Sequence, residues 1–367
     1  MSGLDRPKRP PGRKGHIGLA GQASLGELAL LAGPALLLFL AFVILPFALA
    51  VAFSCTDVKL LQQGDVHWTG ADNYLRLFAV RVVQAPGTSS APEPAVRQWR
   101  AIKRAAVGDQ VARFEGYQFL TDLSLGERRW LIGARDPQFL RAIVNTFWFA
   151  LLVVPLQTAL AFGMALWVNR PVKGRVVLRT VFFSPVVTSM VVVSAVWGLI
   201  LHTDAGLINQ WLLRWFGADA PQPDWLGDPR TAMLAIAVLS AWQGAGFQML
   251  IFLAGLQGIS HDQYEAAQLM GASRWQQFIY VTLPGLRNTL VFVLLSTTVA
   301  AFGLFTQVDM LTGGGPRDAT STLIFHAVRV GFREQDIAYG SAMALCFFLL
   351  VLGLSVAQRA VMERLAR

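Results

Sequence analysis

Residues 261–284 read His261-Asp262-Gln263-Tyr264-Glu265-Ala266-Ala267-Gln268-Leu269-Met270-Gly271-Ala272-Ser273-Arg274-Trp275-Gln276-Gln277-Phe278-Ile279-Tyr280-Val281-Thr282-Leu283-Pro284, with a long apolar run on either side. Ser260 or Asp262 can cap a helix that runs to Met270. Gly271 then supplies a stop that tolerates left-handed backbone. Ser273 can cap a second short helix, on which Trp275, Phe278 and Ile279 share a face. Pro284, lacking an N–H, is expected to end that helix and open the next apolar run. The stretch therefore predicts a compact helix–turn–helix. On these residues alone two readings stand: a stiff lever for a partner, or an interfacial loop whose rings sit at lipid headgroups.

The flanking runs set the class. Of 367 residues, 54% are hydrophobic and only 14% charged, where a soluble domain carries about 25% charged residues. Six stretches approach or exceed the roughly 20 residues that a membrane crossing needs: 28–53, 140–167, 177–201, 232–259, 289–311 and 339–356. The expected fold is an all-α integral membrane protein with six transmembrane helices. The first run is too long for the apolar core of a cleaved signal peptide and has no small-residue cleavage site after it.

Charge in the short connections orients the helices. Arg6, Lys8, Arg9, Arg13 and Lys14 precede the first run; Arg170, Lys173 and Arg175 join the second to the third; Arg359, Arg364 and Arg367 close the chain. With an even number of spans all of these fall on one side, which positive-inside makes cytoplasmic. The opposite connection 202–231 carries Asp204, Asp219, Asp224 and Asp228 against Arg214 and Arg230. Both termini are thus expected inside. The same bias accounts for the formal charge of +9, so nucleic acid is not an expected partner. Residues 1–26 read as a basic tail, 27–53 as the first span, 54–139 as an extracytoplasmic segment, 140–358 as a five-helix core and 359–367 as a tail. Within 54–139, a Pro/Ser/Gly-rich patch (84–94) precedes a mixed-charge run in which Val96, Trp99, Ile102 and Ala106 recur at helical spacing, predicting one short amphipathic helix.

Polar groups at mid-membrane depth avoid lipid and mark a cavity or a helix contact. In the fourth run Ser240, Gln243 and Phe247 share a helical face, with Trp242 and Gly244 beside them. In the fifth, Thr298, Phe302 and Phe305 are expected on one face that continues to Thr306 and Asp309. Rings beside amides and hydroxyls suit a neutral sugar. The competing reading is helix glue, since Gln and Thr also hydrogen-bond between membrane helices. Asp309, near the outer end, is expected to be hydrated or paired rather than a proton relay.

Several stretches carry a resemblance. Glu265-Ala266-Ala267, then Gly271, then Val281-x-Leu283-Pro284 resembles the EAA signature of permeases from binding-protein-dependent ABC importers. Val281 stands where isoleucine is usual and Met270 where an acidic residue is common. Trp68-Thr69-Gly70-Ala71-Asp72-Asn73-Tyr74, Asn145-Thr146, Gly206-Leu207-Ile208-Asn209 and Thr312-Gly313-Gly314-Gly315-Pro316 are similar to the carbohydrate subgroup typified by the maltose and glycerol-phosphate importers. The likeness covers most of residues 27–360 and departs from the family by an inserted region, 79–135, which suits either a solvated flap or a surface for the binding protein.

The resemblance implies the type I importer permease fold in a bacterial inner membrane, crossed several times. It implies a second homologous permease subunit, two ATPase subunits and an extracytoplasmic solute-binding protein as partners, besides lipid. The cytoplasmic loop 260–286 would be the coupling loop, with Glu265, Ala266, Ala267, Gly271, Leu283 and Pro284 engaging the ATPase. It also favours 242–247 as a substrate-contacting stretch, for a sugar or related polyol.

No catalytic or cofactor motif competes. The chain has no G-x-x-x-x-G-K-[ST], H-E-x-x-H, G-x-S-x-G or C-x-x-C. His16, His67, His202, His261 and His326 lack metal-ligand spacing, and Cys55 and Cys346 stand far apart. The chain is expected to be no enzyme and to bind no cofactor, with ATP and Mg held by the partner ATPase. An ion-coupled secondary transporter would need inverted repeats and buried acids; an intramembrane enzyme would need a nucleophile–base pair. Neither pattern is visible.

Overall fold

The computed structural model describes residues 25–61, 64–85, 94–105, 114–125, 128–171, 173–217 and 219–366. Nearly all of the basic tail 1–26, most of the patch 84–94, and Arg367 lie outside them. The chain divides into two compact units, residues 1–49 and 50–367. Among the described residues four helices are long and apolar enough to cross a membrane, Ala32–Ser54, Pro137–Asn169, Ala232–Gln257 and Ile337–Met362, or six spans if each of two bent helix pairs counts as one.

The first span begins as Leu25–Phe39, passes through a π-helical turn at Leu40–Ile44, and resumes at Leu45. The Leu45 N–H reaches back five residues to the Leu40 carbonyl. Pro46 follows directly, so the shift in register comes just where a donor is missing. The fifth span repeats the device: Leu283 N–H bonds Phe278 O across the π turn Phe278–Thr282, and Pro284 follows. Pro284 therefore does not stop the helix as its sequence context suggests. The turn absorbs it, and the chain continues helically through Leu283–Gly285 before bending by 62° into Arg287–Phe302.

The third span departs further from expectation. In place of one helix over 177–201, Arg175–Val187 and Met190–Ile200 meet at 97°. Pro185 removes one donor, and Thr188 and Ser189 adopt extended backbone. At the break the Pro185 carbonyl accepts from Thr188 N–H at 3.3 Å, and Gln243 Nε2 also donates to it at 3.4 Å. The fifth span also ends early. Its helix stops at Phe302, Gly303 and Leu304 are non-helical, and a separate helix Thr306–Leu311 follows. Leu304 O accepts from the buried Thr322 Oγ1 at 2.6 Å, which satisfies a carbonyl the broken helix exposes.

The fourth span is the most buried, because Ala and Gly let backbones approach it. A Cβ at Gly246 would collide with the carbonyl of Phe182, and one at Gly255 would press on Thr289. Against the second span it builds two apolar clusters, one around Phe149, Ile236 and Phe302, the other around Ala161, Met249 and Phe252. A third, around Leu77, Phe139, Leu323 and Met343, ties the second span to the sixth, Ile337–Ala366.

Residues 80–134 hold more than the single amphipathic helix. That helix, Ala95–Ala105, is present and buries Trp99. It packs on a three-stranded antiparallel sheet of β1 (Val80–Gln84), β2 (Gln118–Leu125) and β3 (Arg128–Ala134), in the order β1-β3-β2. Gly133 in β3 has no side chain because the Trp99 ring occupies that space.

Candidate functional site

The loop between the fourth and fifth spans folds as a clamped elbow. Helix His261–Leu269 ends in a Schellman turn: Gly271 N–H bonds Gln268 O and Ala272 N–H bonds Ala267 O, each at 2.9 Å. Gly271 has φ +77°, which a side chain would resist. Ser273 and Gln276 form a reciprocal capping box on Arg274–Gln277. Ser260 caps the first helix without a side-chain bond. The two arms are tied by Tyr264 Oη and Thr282 Oγ1 at 2.9 Å, with Thr282 buried. Ala267 is buried, whereas Glu265, Ala266, Gly271, Leu283 and Pro284 are exposed. Among the described residues Glu265 pairs with His261 alone, at 2.9 Å and in solvent. The tip is apolar: Leu269 is 90% and Met270 82% exposed. Such exposure of large apolar side chains outside a bilayer marks a contact surface.

A second feature is a polar cavity of about 180 Å³ within the bundle. Gln157 from the second span, Ser240, Gln243 and Gly244 from the fourth, Thr297 from the fifth, and Gln307 beyond the break all line it. Gln307 Nε2 donates to Ser240 Oγ at 3.3 Å. Gly244 has no Cβ where the Gln157 amide lies. The lining contains three amides and two hydroxyls but no charged group. Deeper, buried Gln248 donates to Thr297.

The residues singled out by spacing divide here. Ser240, Gln243 and Gly244 meet at the cavity. Phe247, farther along the same helical face, is 56% exposed and does not line the cavity, and Trp242, 45% exposed, packs on Trp197 with ring centroids 5.7 Å apart. Thr298 and Phe302 line a separate groove between the second, fifth and sixth spans. Phe305 does not continue their face, because the break at Gly303 ends the helix before it; its ring packs on Phe325. Thr297, one residue from Thr298, is turned to the cavity instead. Gln157 and Gln307 were missed by spacing: the first stands alone in an apolar run, and the second lies past a break that periodicity could not register.

Three of the stretches that carry the resemblance act as clamps beside the spans. Asn73 Nδ2 donates to Ser54 O and Thr56 O, both at 2.9 Å. Asn145 Nδ2 donates to Asp318 O at 2.7 Å and Ser321 O at 3.0 Å, while Thr146 Oγ1 accepts from Leu323 N–H at 3.0 Å. Asn209 donates to Thr203 O and Pro223 O and accepts from Trp225 Nε1. Asp309 is paired, with Arg333 at 2.5 Å.

Asp136, which caps the second span, is a further hub. Its carboxylate accepts from Phe139 N–H at 2.8 Å and Tyr339 Oη at 2.9 Å, and lies 3.4 Å from buried His326 Nε2. Burial alone would raise its pKa; the bonds from His326, Phe139 and Tyr339 outweigh that and hold it below the usual carboxylate value. Among the described residues no three His, Cys, Asp or Glu side chains gather to hold a metal ion.

Residues 133–367 match the family described as the binding-protein-dependent transport system inner membrane component. The chain belongs to that family. This permease is 35% identical over 232 residues to the trehalose/maltose transport system permease protein MalF of Thermococcus litoralis, covering 63% of this chain and 77% of the relative. It is 33% identical over 236 residues to a probable ABC transporter permease protein, YurN, of Bacillus subtilis, covering 64% and 80%. Its fold is similar to a chain in the crystal structure of a bacterial ABC transporter involved in the import of the acidic polysaccharide alginate, with TM-score 0.67 at 21% identity over 94% of this chain and 98% of that one. The permease is thus a multi-pass inner-membrane importer component, not an ion-coupled transporter.

Proposed function

We propose that this permease carries a sugar or related polyol, delivered by an extracytoplasmic binding protein, along a path lined by Ser240, Gln243, Gly244, Gln157 and Gln307. The chargeless lining supports a neutral solute, because an anion or cation at mid-membrane would need a counter-charge. The names of relatives that transport trehalose, maltose and lactose point the same way. Gln243 sits about 11 residues down its helix, roughly 16 Å at the helical rise, near the midplane. At about 180 Å³ the cavity is small for a saccharide, so a second homologous permease subunit supplies the other wall.

In this reading both termini and the elbow face the cytoplasm, and two ATPase subunits dock there. ATP and Mg are bound by those subunits and not by this chain. The observation that carries the proposal is the elbow itself: a hydrogen-bond-clamped lever whose Leu269 and Met270 are open to solvent. Ala266 allows close approach, and Glu265 offers one charge to a basic partner. Leu283 and Pro284 join the lever to the fifth span, so force at the tip reaches the helix carrying Thr297. In a buried interface, truncating one charged partner typically costs about 2–5 kcal/mol.

The experiment is co-purification with the ATPase. Glu265→Lys should abolish transport-coupled hydrolysis while the permease still inserts. Unchanged assembly and unchanged coupled hydrolysis in that variant would refute the docking role. Uphill transport of labelled sugar by the chain alone in vesicles would refute the division of labour.

A further inference from the structure

The second span places a cation directly above an apolar groove. Arg141 lies in its first turns, and Val144, Trp148, Leu151 and Pro155 follow at three- and four-residue steps, so the five share one helical face. Below Arg141 this face lines a groove of about 820 Å³ whose other wall includes Thr298, Phe302, Leu354 and Ala357. Val144 and Leu151 are exposed there. From Val144 to Pro155 the groove runs about 16 Å at the helical rise, close to half of the roughly 30 Å hydrocarbon core and hence one acyl chain long.

Above it, Arg141 joins Arg100 and Lys103 of helix Ala95–Ala105 around a cleft of about 450 Å³ bordered by Trp99, Tyr117 and Phe119. Among the described residues the charges there are poorly compensated. Arg141 lies 3.7 Å from the Asp318 carboxylate and donates to Leu120 O at 3.4 Å. Among the described residues Lys103 donates to a neutral carbonyl, Tyr117 O, at 3.2 Å. Among the described residues no carboxylate pairs with Arg100 or Lys103. Two more guanidinium groups, Arg81 and Arg135, lie over the Tyr117 ring. Gathering like charges round one cleft is unfavourable unless an anion occupies it.

We infer that cleft and groove together hold one anionic phospholipid of the leaflet facing the inserted region. Its phosphate lies among Arg100, Lys103 and Arg141, and an acyl chain lies along Val144, Trp148 and Leu151. A soluble phosphate or sugar phosphate would satisfy the cations but leave the groove unused; a neutral lipid would fill the groove and leave the charges unmet. Basic pockets beside transmembrane helices take anionic headgroups on this principle.

The test is native mass spectrometry of the full chain in mild detergent, with phosphatidylglycerol or phosphatidylcholine of matched chains. Wild type should retain one phosphatidylglycerol about tenfold more than phosphatidylcholine. Arg100→Gln with Lys103→Gln should abolish that preference, while the charge-preserving pair R100K and K103R should keep it. Ala357→Trp, which fills the groove far from the cations, should reduce retention of both lipids. An unchanged preference in the Gln pair, or its loss in the charge-preserving pair, would overturn the assignment. So would undiminished retention in Ala357→Trp, or displacement of the lipid by glycerol 3-phosphate, which would make this a soluble-phosphate site.

Discussion

Tyr264 and Thr282 hold the two arms of the elbow together through a 2.9 Å hydrogen bond between their hydroxyls, 18 residues apart in the chain. Thr282 is buried in the π turn that leads into Pro284. The bond therefore sets the angle at which the exposed tip meets the fifth span. Tyr264→Phe removes it and little else. A lost hydrogen bond of this kind is worth about 1 kcal/mol, so transport per ATP hydrolysed should fall several-fold with expression unchanged. A stoichiometry assay in vesicles checks this; full coupling in the variant would show that the clamp is dispensable.

Gly271 should tolerate no β-branched residue. At φ +77° a residue with a Cβ is strained by about 1–2 kcal/mol, and no neighbouring atom lies within 4 Å of that position. Gly271→Val should therefore weaken ATPase association by distorting the turn, whereas Gly271→Asn, which adopts left-handed backbone more readily, should retain most of it. Pull-down with the co-expressed ATPase distinguishes the two.

The cavity makes a prediction about binding and assembly. Gln243→Ala should raise the KM for sugar uptake roughly tenfold, the effect of about 1.4 kcal/mol in lost polar contact. Gly244→Val should be worse, because its Cβ would displace the Gln157 amide. Thr298→Ala, which changes the separate groove, should leave KM within twofold. Uptake kinetics with the assembled importer decide it.

Asp136→Asn should destabilise the junction of the second and sixth spans by about 1–3 kcal/mol, since it weakens the bonds from His326 and Tyr339. The pH dependence has a definite sign. The folded pKa lies below the ordinary value of 3.8, so the contribution is fully present above that value and is lost as pH falls through the lower folded one. Thermal unfolding in detergent should show wild type losing its advantage over Asp136→Asn only under strongly acidic conditions.

Gly133→Val should unfold the inserted region and spare the bundle. The added side chain meets the Trp99 ring, and Trp99 is the largest residue of that small core. Overpacking typically costs about 1–3 kcal/mol, a large fraction of what so few buried residues supply. Limited proteolysis should cut within 80–134 in the variant, with the second, fourth and sixth spans still protected.

Much of this was legible before any coordinates. Long apolar runs report their own burial in lipid, so the four long helices and the two bent pairs could be located. Ser273 and Gly271 carry local backbone chemistry, and both cap the elbow as their types require. Where the reading went astray, a local rule met a distant partner. Pro284 reads as a stop, yet a π turn accommodates it. Gln243 reads as lining or glue, and it both lines the cavity and bonds the Pro185 carbonyl. The sheet of the inserted region went unseen because charged residues inside its strands, Arg81, Asp122, Arg128 and Arg129, interrupt the apolar alternation.

The amino-acid order alone determined that the chain lies in a membrane, where its apolar runs and its elbow are, and which turn residues shape that elbow. These follow from hydropathy and from φ preferences, which act within a few residues. Only the tertiary structure decided which faces meet. Thr297 rather than Thr298 points to the cavity, Gln157 and Gln307 join it from other elements, and Arg141 stands above a groove built from three spans. The reason is physical: a helix's rotation and its breaks are set by packing against neighbours far along the chain, and periodicity within one helix carries no record of them.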